Sequence, residues 1–127
     1  MFRIECIDHV ALCVKDLERA RTWYQEVLGL ERRHQEAWGE VPTMLGAGNT
    51  CIALFPTTTQ EPKSAPDYNT IAMRHLAFRV SRKNFEQAQK ELWQRAIKFE
   101  FEDHDIAHSI YFSDPDGHRL ELTTYEF

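Results

Sequence analysis

Alternating apolar and polar positions mark two strands of one design. In IDHVALCV (Ile7–Val14), Val10, Leu12 and Val14 share one face, and His9, Ala11 and Cys13 share the other. In MRHLAFRV (Met73–Val80), Leu76, Phe78 and Val80 share one face, and His75, Ala77 and Arg79 the other. Each strand places a histidine third. Each runs into a stretch of helical period. Asp16 predicts an N-cap for the first helix, with Leu17, Ala20, Tyr24, Val27 and Leu28 as its inner stripe and Gly29 as its stop. Ser81 predicts the second N-cap, with Phe85, Ala88, Leu92 and Ala96 as the stripe.

Three short strand segments follow each helix: LERRHQ, VPTMLGAG and TCIALF, then IKFEFE, HSIYFS and HRLELTTY. Between the two sets, Pro56–Thr70 is rich in Pro, Thr and Ser and reads as a linker. The chain is thus one βαβββ module written twice: module one over about residues 1–57, a linker over about 58–70, and module two over about 71–127. The expected architecture is α+β. The aliphatic strand faces pack under the helices, and the opposite faces form a cupped mixed sheet with the helices outside.

The copies also align in their closing hairpins. TMLGAGNTCIALF lies against YFSDPDGHRLELT without gaps, which sets Gly46–Gly48 on Asp114–Asp116 and Ala53 on Glu121. His9 is then equivalent to His75, and Ala53 to Glu121, all on the face away from the helices. A lone strand histidine is more often packed or solvated than a ligand, and a lone strand glutamate is usually solvated. Two histidines at the same place in two copies, with a carboxylate closing the second, change that balance. His9, His75 and Glu121 make a two-histidine, one-carboxylate set suited to Fe(II), Mn(II) or a similar divalent ion, with coordination positions left open.

Composition narrows the field. At 127 residues the chain suits one core, and its 43% hydrophobic and 28% charged content is that of an ordinary globular protein. A net charge of −5 argues against nucleic acid or an anionic membrane as partner. No apolar run approaches spanning length, and MFRIECIDH lacks the pattern of a signal peptide. Cys6, Cys13 and Cys51 are odd in number and without CxxC spacing, as expected of reduced thiols in a cytoplasmic protein.

DHVALCVKDLERARTWYQEVLGLE, RHLAFRV and YFSDPDGHRLELT resemble the vicinal oxygen chelate superfamily, which includes glyoxalase I, methylmalonyl-CoA epimerase, extradiol dioxygenases, fosfomycin-resistance enzymes and bleomycin-binding proteins. The resemblance covers essentially the whole chain. It implies a single domain over residues 1–127 built from paired βαβββ modules, metal ligands at His9, His75 and Glu121, a small-molecule substrate and a homodimer. Ala53 stands where glyoxalase I and the epimerase carry a fourth ligand, which counts against both. Retention of three ligands counts against a pure binder. Fosfomycin enzymes share the ligand set and the DPDGHRLE segment, but their phosphonate-gripping lysine has no counterpart in the acidic FEFEDHDIAHS (Phe99–Ser109).

The segment from His104 through Ile110-Tyr111 and Asp114-Pro115-Asp116-Gly117 to Glu121 resembles the extradiol signature, although Glu102 departs from its first position. That resemblance implies an extradiol-type dioxygenase with Fe(II) as the favoured metal. His104 would act as acid/base and Tyr111 would hydrogen-bond a substrate oxygen. The runner-up is a thiol transferase or lyase of the fosfomycin-resistance or glyoxalase type, and the non-enzyme alternative is a small-molecule binding (resistance) protein. His108 and His118 read as surface or turn residues, Arg79 as a rim cation, and Cys13 and Cys51 as small fillers of the cleft floor. The loops at Glu36–Pro42 and Phe99–Ser109 would set the substrate.

Overall fold

In the computed structural model, which describes residues 1–127, the expected order holds in both halves. β1 (Val10–Val14) leads into α1 (Leu17–Leu28), followed by β2 (Glu31–Arg33), a one-turn α2 (Gln35–Trp38), β3 (Thr43–Ala47) and β4 (Thr50–Pro56). β5 (Leu76–Arg79) leads into α3 (Arg82–Gln94), followed by β6 (Glu100–Asp103), β7 (His108–Ser113) and β8 (Arg119–Thr124). The halves are two compact units, Met1–Lys63 and Ser64–Phe127. Each unit carries its own four-stranded mixed sheet, ordered β1-β4-β3-β2 in the first and β5-β8-β7-β6 in the second.

The helices form where their caps and stripes require. Asp16, in extended conformation, accepts from the Arg19 N–H at 3.1 Å, which satisfies one of the donors a helix start leaves open. Gly29 takes the left-handed conformation (φ 66°) that lets its N–H, and that of Leu30, turn back on the Tyr24 carbonyl. Ala20 and Tyr24 are buried, and α1 lies against β3 and β4. Ser81 accepts from the Asn84 N–H at 3.2 Å, and Phe85 and Leu92 bury the inner face of α3 beside β8. Full burial of a side chain such as Phe85 contributes about 2–3 kcal/mol. The stripe stops short of expectation: α3 ends at Gln94, and Ala96 is exposed with φ 56°.

Three further departures bear on the site. His9 and His75 stand immediately before β1 and β5 rather than within them. LERRHQ keeps only Glu31–Arg33 as strand. His34 adopts a left-handed conformation and its carbonyl accepts from the Trp38 N–H, so the chain winds into α2 instead. The hairpins differ in length. Met44 pairs with Ala53, but Tyr111 pairs with Glu121, so the second hairpin holds one more residue and Tyr111 is the counterpart of Met44, not of Thr43. The equivalence of Ala53 and Glu121 stands, because Ala11 pairs with Ala53 as Ala77 pairs with Glu121.

The extra residue belongs to a turn built around Asp114. This carboxylate is buried, and its Oδ1 accepts from the backbone N–H groups of Asp116 (2.9 Å) and His118 (2.8 Å). The Asp114 N–H donates to the His118 carbonyl at 3.0 Å, and Gly117 supplies the φ of 89° that closes the turn. The DPDG run is therefore a hairpin staple that holds the register of β7 and β8. Asp114→Ala leaves two amide donors without their acceptor and should cost about 2–3 kcal/mol. Asp114→Asn keeps an Oδ1 acceptor and should cost less than half of that, as read from urea-denaturation midpoints.

Candidate functional site

The second sheet brings one row of side chains together. Ala77, Glu121, Tyr111 and Glu100 lie side by side across β5, β8, β7 and β6. Side chains opposite one another on a common face are close neighbours. Glu121 is buried, and its Oε2 lies 2.9 Å from His75 Nε2. The His75 and Tyr111 rings meet edge to face with centroids 5.6 Å apart. On the far side of the phenol, His104 Nε2 lies 3.0 Å from the Tyr111 hydroxyl and 3.4 Å from Glu102 Oε2. His75, Glu121, Tyr111 and His104 are thus one contiguous cluster.

His104 is positioned by its loop. Asp103 pairs with His108 where β6 meets β7, and the intervening residues fold tightly. The His104 N–H donates to the Ala107 carbonyl, the Ile106 N–H donates to the His104 carbonyl, and Asp105 turns left-handed (φ 73°) while its N–H donates to Asp103 Oδ1. Most of Phe99–Ser109 is therefore sheet and braced turn rather than an open loop.

The cluster sets the state of Tyr111. Burial raises the phenol pKa above its ordinary value, and the charge of Glu121, a hydrogen bond to that carboxylate and the charge of Glu102 raise it further, with a hydrogen bond from Ser109 opposing them. At neutral pH Tyr111 keeps its proton and donates.

The first unit is chemically sparser. His9 Nδ1 lies 2.7 Å from Asp8 Oδ2. A carboxylate on Nδ1 holds the imidazole with Nε2 as the free lone pair, the arrangement that metal-ligating histidines commonly show. The row matching Ala77, Glu121, Tyr111 and Glu100 is Ala11, Ala53, Met44 and Arg33, which offers no carboxylate. Burial pushes the Cys51 thiol pKa up, Arg33 pulls it down, and Asp8 adds to the rise, so Cys51 is not a thiolate nucleophile at neutral pH. Cys51 is half-buried, in keeping with a filler, but Cys13 is exposed.

No three His, Cys, Asp or Glu side chains gather around a common point. What the second unit supplies is a donor pair. Two adjacent donors on an octahedral ion with bonds of about 2.1 Å stand about 3 Å apart, and His75 Nε2 and Glu121 Oε2 stand 2.9 Å apart. His75 Nδ1 is buried with no hydrogen-bond partner, and Nε2 is the ring nitrogen that faces the carboxylate, where a cation would be held between them. The pair, one imidazole and one carboxylate, suits a divalent ion of intermediate hardness.

His118 lies in the Asp114 turn, as expected. His108 is half-buried on β7, with Arg82 Nη2 at 2.9 Å from its Nδ1 and its ring between Phe101 and Phe127, and so takes no part in the cluster. The guanidinium of Arg79 lies over the Tyr125 ring at 4.8 Å. One neighbour of the cluster escaped the sequence reading. Arg119 shares the Glu121 face of β8, and its Cζ lies 5.6 Å from the Tyr111 ring centroid. Its signal was present in the alternation of HRLELTTY, two residues before Glu121.

A family model described as the Glyoxalase/Bleomycin resistance protein/Dioxygenase superfamily matches residues 6–122. Among curated relatives, the chain is 30% identical over 119 residues to the glutathione transferase FosA of Serratia marcescens, covering 94% of this chain and 80% of that protein. It is likewise 30% identical over 126 residues to the metallothiol transferase FosB of Staphylococcus epidermidis, covering 95% and 82%. The crystal structure of the fosfomycin resistance protein FosX of Listeria monocytogenes superposes with a TM-score of 0.72 over 96% of this chain and 94% of that one, at 17% identity, a likeness of fold alone.

Ultraviolet titration of the phenols should contain one ionisation step, absent in Tyr111→Phe, that lies above pH 10. Glu121→Gln should move this step to lower pH, because it removes the carboxylate charge that opposes a phenolate.

Proposed function

This chain belongs to the Glyoxalase/Bleomycin resistance protein/Dioxygenase superfamily, and we propose that it is a divalent-metal-dependent transferase that joins a thiol to a small oxygen-bearing electrophile. The observation that carries the reading is the His75–Glu121 pair at 2.9 Å beside a protonated Tyr111, in a chain that aligns over about 95% of its length with proteins named as metallothiol transferases. The extradiol reading, which the sequence signature favoured, yields first place to thiol transfer. The named relatives are transferases, and none of them calls for Fe(II).

His9, His75 and Glu121 are the proposed ligands, and the protein works as a homodimer. Bound there, a divalent ion such as Mn(II) supplies Lewis acidity at the oxygen of the electrophile. The chain's own residues do the rest. Tyr111 directs its hydroxyl proton toward the oxygen that gains charge as the electrophile opens. His104, 3.0 Å behind that hydroxyl, replaces the proton once it is given up. Glu102 Oε2, 3.4 Å from His104 Nε2, orients that imidazole beside the hydroxyl. Burial holds Cys51 as a neutral thiol, and the proposed sulfur nucleophile is a free thiol co-substrate, as the names of the relatives suggest.

Extradiol oxygenation remains the second reading on one specific observation, the His104–Tyr111 contact, which supplies the acid/base pair that chemistry also needs.

Calorimetry should show stoichiometric Mn(II) binding, lost in His75→Ala and Glu121→Ala. With Mn(II) and no oxygen, the protein should consume glutathione in the presence of fosfomycin or a related epoxide, and both variants should fall by about 100-fold or more. Oxygen uptake with catechols and Fe(II), with no thiol consumption, would give the reaction to the second reading. Retention of ligand after metal stripping, with no turnover of either kind, would make the chain a binding protein.

A further inference from the structure

We propose that His108 is a positioning residue: through Asp103 it holds the turn that sets His104 against the Tyr111 hydroxyl. The placement of His104 rests on the geometry of the second unit alone. Its effect on turnover rests on the transferase reading above.

The tautomer of His108 follows from its neighbour. Its Nδ1 lies 2.9 Å from Arg82 Nη2. A guanidinium only donates, so Nδ1 is the acceptor, the ring is neutral and its proton sits on Nε2. That nitrogen faces Asp103 Oδ1 at 3.6 Å, which sets an N–H toward a carboxylate oxygen. Arg82 is itself held from the C-terminal side. As the first residue of α3 it donates from Nε to the Glu126 carbonyl at 2.8 Å and from its backbone N–H to Glu126 Oε1 at 3.3 Å. The His108 ring also meets Phe101 and Phe127 edge to face, with centroids 5.1 Å and 4.6 Å away. Its side chain is only 21% exposed, so the imidazole is fixed by packing on its faces and by the guanidinium at its edge.

Asp103 passes this placement to the turn. Asp103 and His108 pair where β6 meets β7, so their side chains share one face and bracket residues 104–107. The same Oδ1 that faces His108 accepts from the Asp105 N–H at 2.9 Å. Asp105 is left-handed (φ 73°), a conformation unfavourable without local hydrogen bonding. Loss of the Asp103 acceptor therefore loosens the turn at its most strained residue.

His104 precedes that residue directly. Its N–H donates to the Ala107 carbonyl and its carbonyl accepts from the Ile106 N–H, both at 2.8 Å. The His104 side chain is 42% exposed, so the backbone of the turn, more than packing, aims the ring at the Tyr111 hydroxyl 3.0 Å away. A misplacement of about 1 Å at a reacting group can cost about 100-fold in rate. A line of contacts thus runs from Glu126 through Arg82, His108 and Asp103 to the turn that carries the proposed proton donor.

The test follows the full chain by NMR. In wild type the His104 and Tyr111 ring protons should show a nuclear Overhauser contact. Asp103→Ala should remove it and speed amide exchange at Asp105 about tenfold or more. Asp103→Asn keeps an Oδ1 acceptor and should restore both. His108→Phe keeps the ring packing but neither accepts from Arg82 nor turns an N–H to Asp103, and should weaken the contact and speed the exchange by a smaller factor. With Mn(II), glutathione and fosfomycin, Asp103→Ala should lower kcat about tenfold with KM unchanged, and should lower it no further in a His104→Gln background. An intact ring contact with unchanged Asp105 exchange in His108→Phe overturns the proposal, whatever Asp103→Ala does. Loss of the contact with wild-type kcat, or with no thiol transfer by wild type, upholds the positioning and overturns the role given to His104 in the transferase reading.

Discussion

The register between β7 and β8 governs the chemistry of this protein, and one buried carboxylate holds it. Asp114 takes two backbone amides of its own turn and fixes how many residues lie between the strands. A slip of one residue would turn every side chain of a strand to the opposite face. With the register held, Tyr111 falls opposite Glu121, Glu100 falls opposite Tyr111, and Arg119 comes to the same face two residues away. The polar cluster is a consequence of that turn.

The two units show how one frame carries unequal loads. Sheet order, the parallel first pair, the cap at the helix start and a histidine just ahead of the first strand recur in both. The functional rows do not recur. Ala11, Ala53, Met44 and Arg33 occupy in the first unit the places held by Ala77, Glu121, Tyr111 and Glu100 in the second. The first unit carries a histidine whose Nδ1 meets Asp8 and no carboxylate in its matching row. The second collects a carboxylate, an imidazole, a phenol and a further histidine in contact. The repeat supplies the scaffold, and one face of one copy carries the polar cluster.

Electrostatics within the cluster are self-consistent. Burial and the charge of Glu121 raise the Tyr111 pKa, so the phenol keeps its proton beside that carboxylate. The same carboxylate pairs with His75, so one side chain organises both neighbours. Glu102 adds negative charge beside His104, and Arg119 offsets the acidic β6 edge from the neighbouring side. The acidic segment that argued against an anionic substrate in the linear chain thus has a cation beside it in the sheet.

Much of this was legible in the linear chain, for a physical reason. Periods of 2 and 3.6 and the cap residues are local properties, so the paired modules, both N-caps and the helix faces could be read directly. The equivalence of Ala53 with Glu121 followed from the repeat. Other features depend on the partner across a hydrogen bond. The one-residue difference between hairpins, the winding of Gln35–Trp38 into helix and the early end of α3 are settled by backbone pairing and left-handed residues such as His34 and Ala96. The neighbourhood of Arg119 is of the same kind. Alternation assigned it a face, but only the strand order β5-β8-β7-β6 placed it against Tyr111. The sequence by itself determined which residues face together along each strand. The tertiary structure decided which strands lie side by side, and a cluster drawn from separate strands exists only once that pairing is made.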